Sequence, residues 1–139
     1  TGAGNRHREE LLKTISEMPG TNLHIQIENM AMLMASADLF IGAGGSVTWE
    51  RCFLNLPGIV VTLADNQVQA AKDQEKKGII YYLGNSTDVY QIDILNAIQF
   101  SINNPQVFET ISKKSRNLID GEGTYKVAEI LINGDNKLI

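Results

Sequence analysis

The stretch that most constrains this chain is Leu39-Phe40-Ile41-Gly42-Ala43-Gly44-Gly45-Ser46. An apolar run that breaks into glycines and then opens into a helix-compatible segment reads as a buried strand, a tight turn and a helix start. The helix is expected from near Ser46 to about Asn55, with Val47, Cys52 and Phe53 facing inward. Pro57-Gly58 ends the connection, and Ile59-Val60-Val61-Thr62-Leu63 is a β-branched strand. A second helix is expected from near Gln67 to Gly78, a glycine suited to a helix C-terminus, and Ile79 to Leu83 reads as the next strand.

The flanks extend this pattern. Thr1-Gly2-Ala3-Gly4-Asn5 is a glycine-rich turn. Leu11, Leu12, Ile15 and Met18 recur at helical spacing, and Pro19-Gly20 stops the run. Leu23-His24-Ile25-Gln26-Ile27 alternates apolar and polar residues and predicts a half-covered strand. Asn29 is placed to cap a short helix carrying Met30, Leu33 and Met34. Three helices follow the last strand. The first starts with Asp88 and Gln91 as a capping box, the second at Asn104-Pro105, and the third at Thr124, ending at Gly134. Strands alternating with helices imply an α/β fold: a Rossmann-like parallel sheet with helices on both faces.

At 139 residues the chain is sized for a single domain. Its net charge of -4, with no basic stripe, argues against general nucleic-acid binding. No apolar run approaches a membrane span, and no signal peptide opens the sequence. The lone Cys52 excludes a disulfide framework and fits a reducing, cytoplasmic setting.

In open α/β sheets, ligands bind beyond the carboxyl ends of the strands. There the loop Gly42 to Ser46 has two readings: a tight strand-to-helix turn, or a cradle in which backbone N–H groups approach an anion. It is neither a Walker A loop nor the Gly-x-Gly-x-x-Gly fingerprint. Glu50, four residues after Ser46, is either a first-turn carboxylate favoured by the helix dipole or an acceptor for a vicinal diol such as a ribose. Asp65-Asn66-Gln67 offers polar groups suited to sugar hydroxyls or to helix capping. Trp49 reads as a packing residue sooner than as a stacking platform, and Cys52 as a small buried hydrophobe. Neither His7 nor His24 has a carboxylate or cysteine at metal-ligand spacing, so no metal and no cofactor is expected.

Taken together, Ala37 to Cys52 (Ala-Asp-Leu-Phe-Ile-Gly-Ala-Gly-Gly-Ser-Val-Thr-Trp-Glu-Arg-Cys), Leu56-Pro57 and Ala64-Asp65-Asn66-Gln67 resemble one family closely. It is the C-terminal domain of the UDP-sugar hydrolase of pseudaminic acid biosynthesis, a group that includes spore coat polysaccharide biosynthesis proteins. That group is similar to the N-acetylglucosaminyltransferase that makes lipid II, with the two-domain GT-B fold. The resemblance runs from Thr1-Gly2 to Asp120-Gly121-Glu122-Gly123.

The resemblance implies that Ile27 contacts uracil, that Gly44, Gly45, Ser46 and Val47 hold the diphosphate through backbone N–H groups, and that Glu50 binds the ribose. It implies that Asn66 and Gln67 face the sugar. Trp49 and Arg51 match signature positions without an implied ligand role. The hydrolase's catalytic histidine lies in an N-terminal domain absent from this sequence. The first two strands of the family's domain are absent as well, so the chain is expected to begin inside its domain, with no catalytic residue of its own.

Three functions follow as expectations. The first is the UDP-binding part of a UDP-deoxyamino-sugar hydrolase, partnered by that N-terminal domain. The second is the donor-binding half of a GT-B glycosyltransferase, and the third a non-catalytic nucleotide-binding module. Without the two family strands, the strand at Leu23 is expected to join a four-stranded sheet of altered order, or open edges to drive self-association.

Overall fold

The computed structural model describes residues 2 and 4–133. Thr1 and Ala3 of the expected glycine-rich turn, and Gly134 as a helix end, lie outside the described residues. The chain divides into two compact units, Thr1–Met32 and Leu33–Ile139.

In the first unit, helix α1 spans Arg8–Ser16. The expected strand at Leu23 to Ile27 does not form: these residues join no sheet. The alternation itself is real, because Leu23, Ile25 and Ile27 are half-buried while His24 and Gln26 are exposed. One-sided covering is all that such a pattern specifies. A strand also needs a ladder partner and extended dihedrals, and Gln26 at φ 46° leaves the extended region. Helix α2, Met30–Ala35, follows the expected position; it begins in this unit and ends in the second.

The second unit carries a three-stranded parallel sheet in the order β1-β2-β3, with β1 at Phe40–Ala43, β2 at Gly58–Thr62 and β3 at Tyr81–Asn85. Ile41 sits opposite Ile59, and Ile59 opposite Tyr81. A bulge interrupts the β2–β3 register between Val60 and Val61, opposite which Tyr82 pairs with Val60 and Gly84 with Val61. The sheet has three strands and not the four expected, because the Leu23 segment does not join it.

Crossovers connect the strands: α3 at Val47–Phe53 joins β1 to β2, and α4 at Asp65–Lys77 joins β2 to β3. Three more helices follow among the described residues: α5 at Gln91–Asn103, α6 at Pro105–Arg116 and α7 at Gly123–Asn133. Gly78, at φ 71°, caps α4 as expected. Pro105 opens α6 at the first helical position, also as expected. The Asp88–Gln91 capping box is corrected. The N-cap is Tyr90, just before the helix, and its N–H donates to Asp93 Oδ2 at 2.8 Å.

Successive residues of β2 point to opposite faces and build two cores. Val60 packs with Cys52, Ala71, Ile79 and Ile80. Ile59 packs with Ala97, Phe108 and Ile111. The second core includes an aromatic cluster in which the Tyr81 ring centroid lies 5.5 Å from that of Phe100 and 5.8 Å from that of Phe108. Of the residues expected inward on α3, Cys52 is fully buried, whereas Phe53 is 50% exposed. Arg51 takes the inward arc beside Cys52, which turns Phe53 outward.

A candidate nucleotide-sugar site on the glycine loop

The carboxyl ends of β1 and β2 bring two of the predicted segments together. The first is the loop from Gly44 to Ser46, leading into α3. The Gly44 N–H is consumed by the sheet, donating to the Val61 carbonyl at 3.2 Å. The N–H groups of Thr48 and Trp49 turn back onto the carbonyls of Gly45 and Ser46, each at 3.0 Å. Between them, the N–H groups of Gly45, Ser46 and Val47 have no acceptor among the described residues. Gly45 sits at φ 130°, where L side chains are strained, with open space around it. The Ser46 hydroxyl does not cap the helix. Three adjacent unpaired donors on an exposed glycine turn form a concavity suited to an anion.

The second segment opens α4. Asp65 is engaged, since Asn85 Nδ2 donates to its Oδ1 at 3.1 Å, tying the ends of β2 and β3. Gln67 reaches back so that its Oε1 accepts the Leu63 N–H at 3.1 Å. That bond fixes the Gln67 carbonyl end and leaves its Nε2 as a donor. Asn66 is exposed.

A cleft of about 220 Å³ lies between these segments, lined by Gly44, Gly45, Trp49, Asn66, Gln67, Ala70, Ala71 and Gln74. Four predicted site residues therefore meet in one place. Trp49 joins them, 48% exposed, which corrects its reading as a packing residue. Gln74 was missed by sequence reasoning, although its signal was present: residues 67, 70, 71 and 74 share one helical face.

Glu50 does not line this cleft. It is exposed on α3, four residues after Ser46 and on that residue's side of the helix. The unpaired loop donors thus adjoin a cleft lined by amides, and the carboxylate of the first turn of α3 lies outside that cleft. Ile27 belongs to the first unit and ends no strand, so its expected place at a strand terminus is not borne out.

Arg51 is fully buried and works inside the fold. Its Nη1 donates to the Leu56 carbonyl at 2.6 Å and its Nη2 to the Ile79 carbonyl at 3.0 Å. Burial lowers its pKa from the ordinary guanidinium value, and the neighbouring Cys52 acts in the opposite direction. It joins α3 to the residues that precede β2 and β3, at the amino ends of these strands and away from the glycine loop.

A larger cleft, of about 540 Å³, lies at the opposite end of the sheet, beside Leu39, Pro57, Ile102 and Phe108. It has no glycine turn. Among the described residues no three His, Cys, Asp or Glu side chains come together to hold a metal ion. No helix among them is long and apolar enough to cross a membrane.

The glycine turn, the α/β sheet and the α4 amides agree with two similarities of the whole sequence. The chain is 28% identical over 137 residues to the spore coat polysaccharide biosynthesis protein SpsG of Bacillus subtilis (strain 168). That match covers 94% of this chain and spans 38% of the relative's length. Residues 3–129 match the glycosyltransferase family 28 C-terminal domain. With nearly all of its length in that match, and with the parallel sheet and helices that a Rossmann-like half of a GT-B protein requires, the chain belongs to the glycosyltransferase family 28 C-terminal domain family.

Proposed function

We propose that this chain is the UDP-binding part of an enzyme acting on a UDP-linked sugar in surface or spore-coat polysaccharide synthesis. The observation that carries the reading is the row of unpaired N–H groups at Gly45, Ser46 and Val47, beside a cleft that Asn66 and Gln67 line, with Glu50 exposed in the first turn of the helix that follows. A nucleoside diphosphate sugar has a matching order: a diol, two phosphates, then a second polyol. In this reading the diphosphate accepts from the three loop donors. Glu50 accepts from the ribose hydroxyls, and Asn66 and Gln67 Nε2 face the sugar.

The chemistry of the parent enzyme is either hydrolysis of a UDP-deoxyamino sugar, as in the pseudaminic acid type of pathway, or sugar transfer to an acceptor. Membership in a glycosyltransferase family supports transfer at least as well as hydrolysis. In both, this part holds and orients the donor, and an N-terminal domain supplies the remaining groups.

Titration calorimetry of the chain with UDP tests the binding reading, with CDP and GDP as controls. Saturable binding that prefers UDP is expected; no binding of any nucleoside diphosphate would overturn the proposal. An assay of the longer parent for UDP release, with and without acceptor, separates the two chemistries.

A further inference from the structure

Residues of β3 alternate between the two cores as far as Leu83. Tyr81 and Leu83 pack on the Ile59 side, with α5 and α6, while Tyr82 packs on the Val60 side, with α3 and α4. Strict alternation would send Asn85 to the Ile59 side, away from α4. The bulge changes that. β3 uses one residue more than β2, so that Tyr82 pairs with Val60, Gly84 with Val61 and Asn85 with Thr62. Thr62 lies two residues after Val60, and its hydroxyl meets that of Tyr82 at 2.9 Å, so its pairing partner faces the α4 side. Gly84 absorbs the change at φ 136°, where L side chains are rare. Re-aiming a side chain is what a bulge does in a strand.

The re-aimed amide is held at both ends. Asn85 Oδ1 accepts the Thr87 N–H at 3.2 Å, which directs Nδ2 to donate to Asp65 Oδ1 at 3.1 Å. Asp65 is the first residue of α4, and the residue before it, Ala64, has no side chain able to cap the helix. Among the described residues, the side-chain ties at the opening of α4 are this bond and the one from the Leu63 N–H to Gln67.

We propose that Asn85 is a positioning residue of the nucleotide-sugar site: re-aimed by the β3 bulge, it holds Asp65 and, through it, the first turn of α4 on which Asn66 and Gln67 stand. Asn85 itself touches no ligand. This rests on the nucleotide-sugar reading above and adds the residue that aims its sugar end. The polarity of the bond is part of the device. An ionised Asp65 only accepts, so its partner must donate, and an amide with its oxygen already engaged presents its nitrogen.

The experiment is calorimetry with UDP and with UDP-N-acetylglucosamine on the unmodified chain, Asn85→Asp, Asp65→Asn and the double variant that carries both changes. The unmodified chain is expected to bind UDP-N-acetylglucosamine more tightly than UDP. Asn85→Asp sets one carboxylate against another and should weaken UDP-N-acetylglucosamine by about three- to tenfold, with UDP unchanged, because the glycine-loop donors do not stand on α4. Asp65→Asn keeps an oxygen that accepts from Asn85 and should lose less. The double variant exchanges donor and acceptor and should recover most of the loss. Unchanged UDP affinity in Asn85→Asp shows that this variant is folded. Equal weakening of both ligands would make Asn85 a merely structural residue and overturn the proposal. So would no weakening of either ligand, no recovery in the double variant, or a sugar that adds no affinity in the unmodified chain. Failure of the unmodified chain to bind either ligand would instead overturn the nucleotide-sugar reading on which the proposal rests.

Discussion

A Cβ added to Gly58 would stand 2.9 Å from both Cδ and Nε of Arg51. The first residue of β2 is a glycine because a buried guanidinium occupies the space a side chain would need. Arg51 cannot retreat without breaking its bonds to the Leu56 and Ile79 carbonyls. It has no salt-bridge partner among the described residues, so these carbonyls carry its stabilisation. Gly58→Ala is therefore expected to destabilise the chain by about 1–3 kcal/mol, the usual range for overpacking. In an Arg51→Ala background the same change should cost much less, because Cδ and Nε, the atoms that the added methyl group would meet, are gone. Urea unfolding of the four proteins measures the coupling. Equal costs in both backgrounds would show that the clash is not the cause.

Gly45 is held by its backbone and not by its surroundings. Its φ is 130°, and a methyl group added there would meet open space, so Gly45→Ala strains the turn without colliding with anything. The strain is worth about 1–3 kcal/mol, and a turn that relaxes to escape it loses the alignment of the donors at Gly45, Ser46 and Val47. UDP affinity should fall by about tenfold or more in calorimetry. Stability should fall by no more than the strain. Retention of full affinity would show that the turn is only a connection.

Asp120 ties the start of α7. Its Oδ2 accepts from Lys126 Nζ and its Oδ1 from the Glu122 N–H at 3.0 Å. The hydrogen bond from Lys126 comes first, with the Glu122 N–H behind it, in holding the Asp120 carboxyl below its ordinary value of 3.8. A carboxyl whose pKa is depressed in the folded state adds stability above its unfolded value. That contribution is lost as pH falls through the folded value. The amide protection of Glu122 and Lys126 should thus survive mild acidification and disappear below pH 3.8. In Asp120→Asn it should already be reduced at neutral pH. Protection that is the same in Asp120→Asn and the parent chain at pH 7 would rule this tether out.

How much of this could be read from residues alone depended on what each pattern specifies. Ile59 to Thr62 is strongly β-branched, and β2 is found there, covered on both faces. Ile79 and Ile80 are as apolar as a strand and as buried, yet the ladder begins at Tyr81, because their burial comes from the Cys52 core. Leu23 to Ile27 carries an alternation that burial obeys and pairing ignores. On the site side, the glycine turn and the α4 amides were legible, because strand ends in a parallel sheet lie along one edge. The indole of Trp49 was not, since local sequence does not say which arc of a helix as short as α3 meets a neighbouring wall. Arg51 was not either. An arginine is an unexpected core residue, and the carbonyls that justify it come from positions five and twenty-eight residues away.

Glu50→Gln separates binding from folding. The Glu50 side chain is exposed, and its carboxylate makes no hydrogen bond or ion pair with any described residue. Its contribution to the fold is then limited to the favourable position of a negative charge in the first turn of α3, about 0.3–1 kcal/mol. Its proposed contribution to binding is larger. A carboxylate that accepts from two ribose hydroxyls loses charge-assisted bonds when it becomes an amide, worth about 1.5–3 kcal/mol. That corresponds to roughly 10- to 150-fold in UDP affinity. The amide keeps the size and the oxygen, so a steric explanation does not compete. Deoxyuridine diphosphate supplies the matching ligand change: without the 2′-hydroxyl it should bind the parent chain more weakly than UDP, and it should lose less than UDP does on Glu50→Gln. Calorimetry gives both affinities, and thermal unfolding of the two proteins gives the fold term. Equal losses for the two ligands would remove the ribose from Glu50. A large fall in melting temperature with UDP affinity unchanged would return the carboxylate to a structural role.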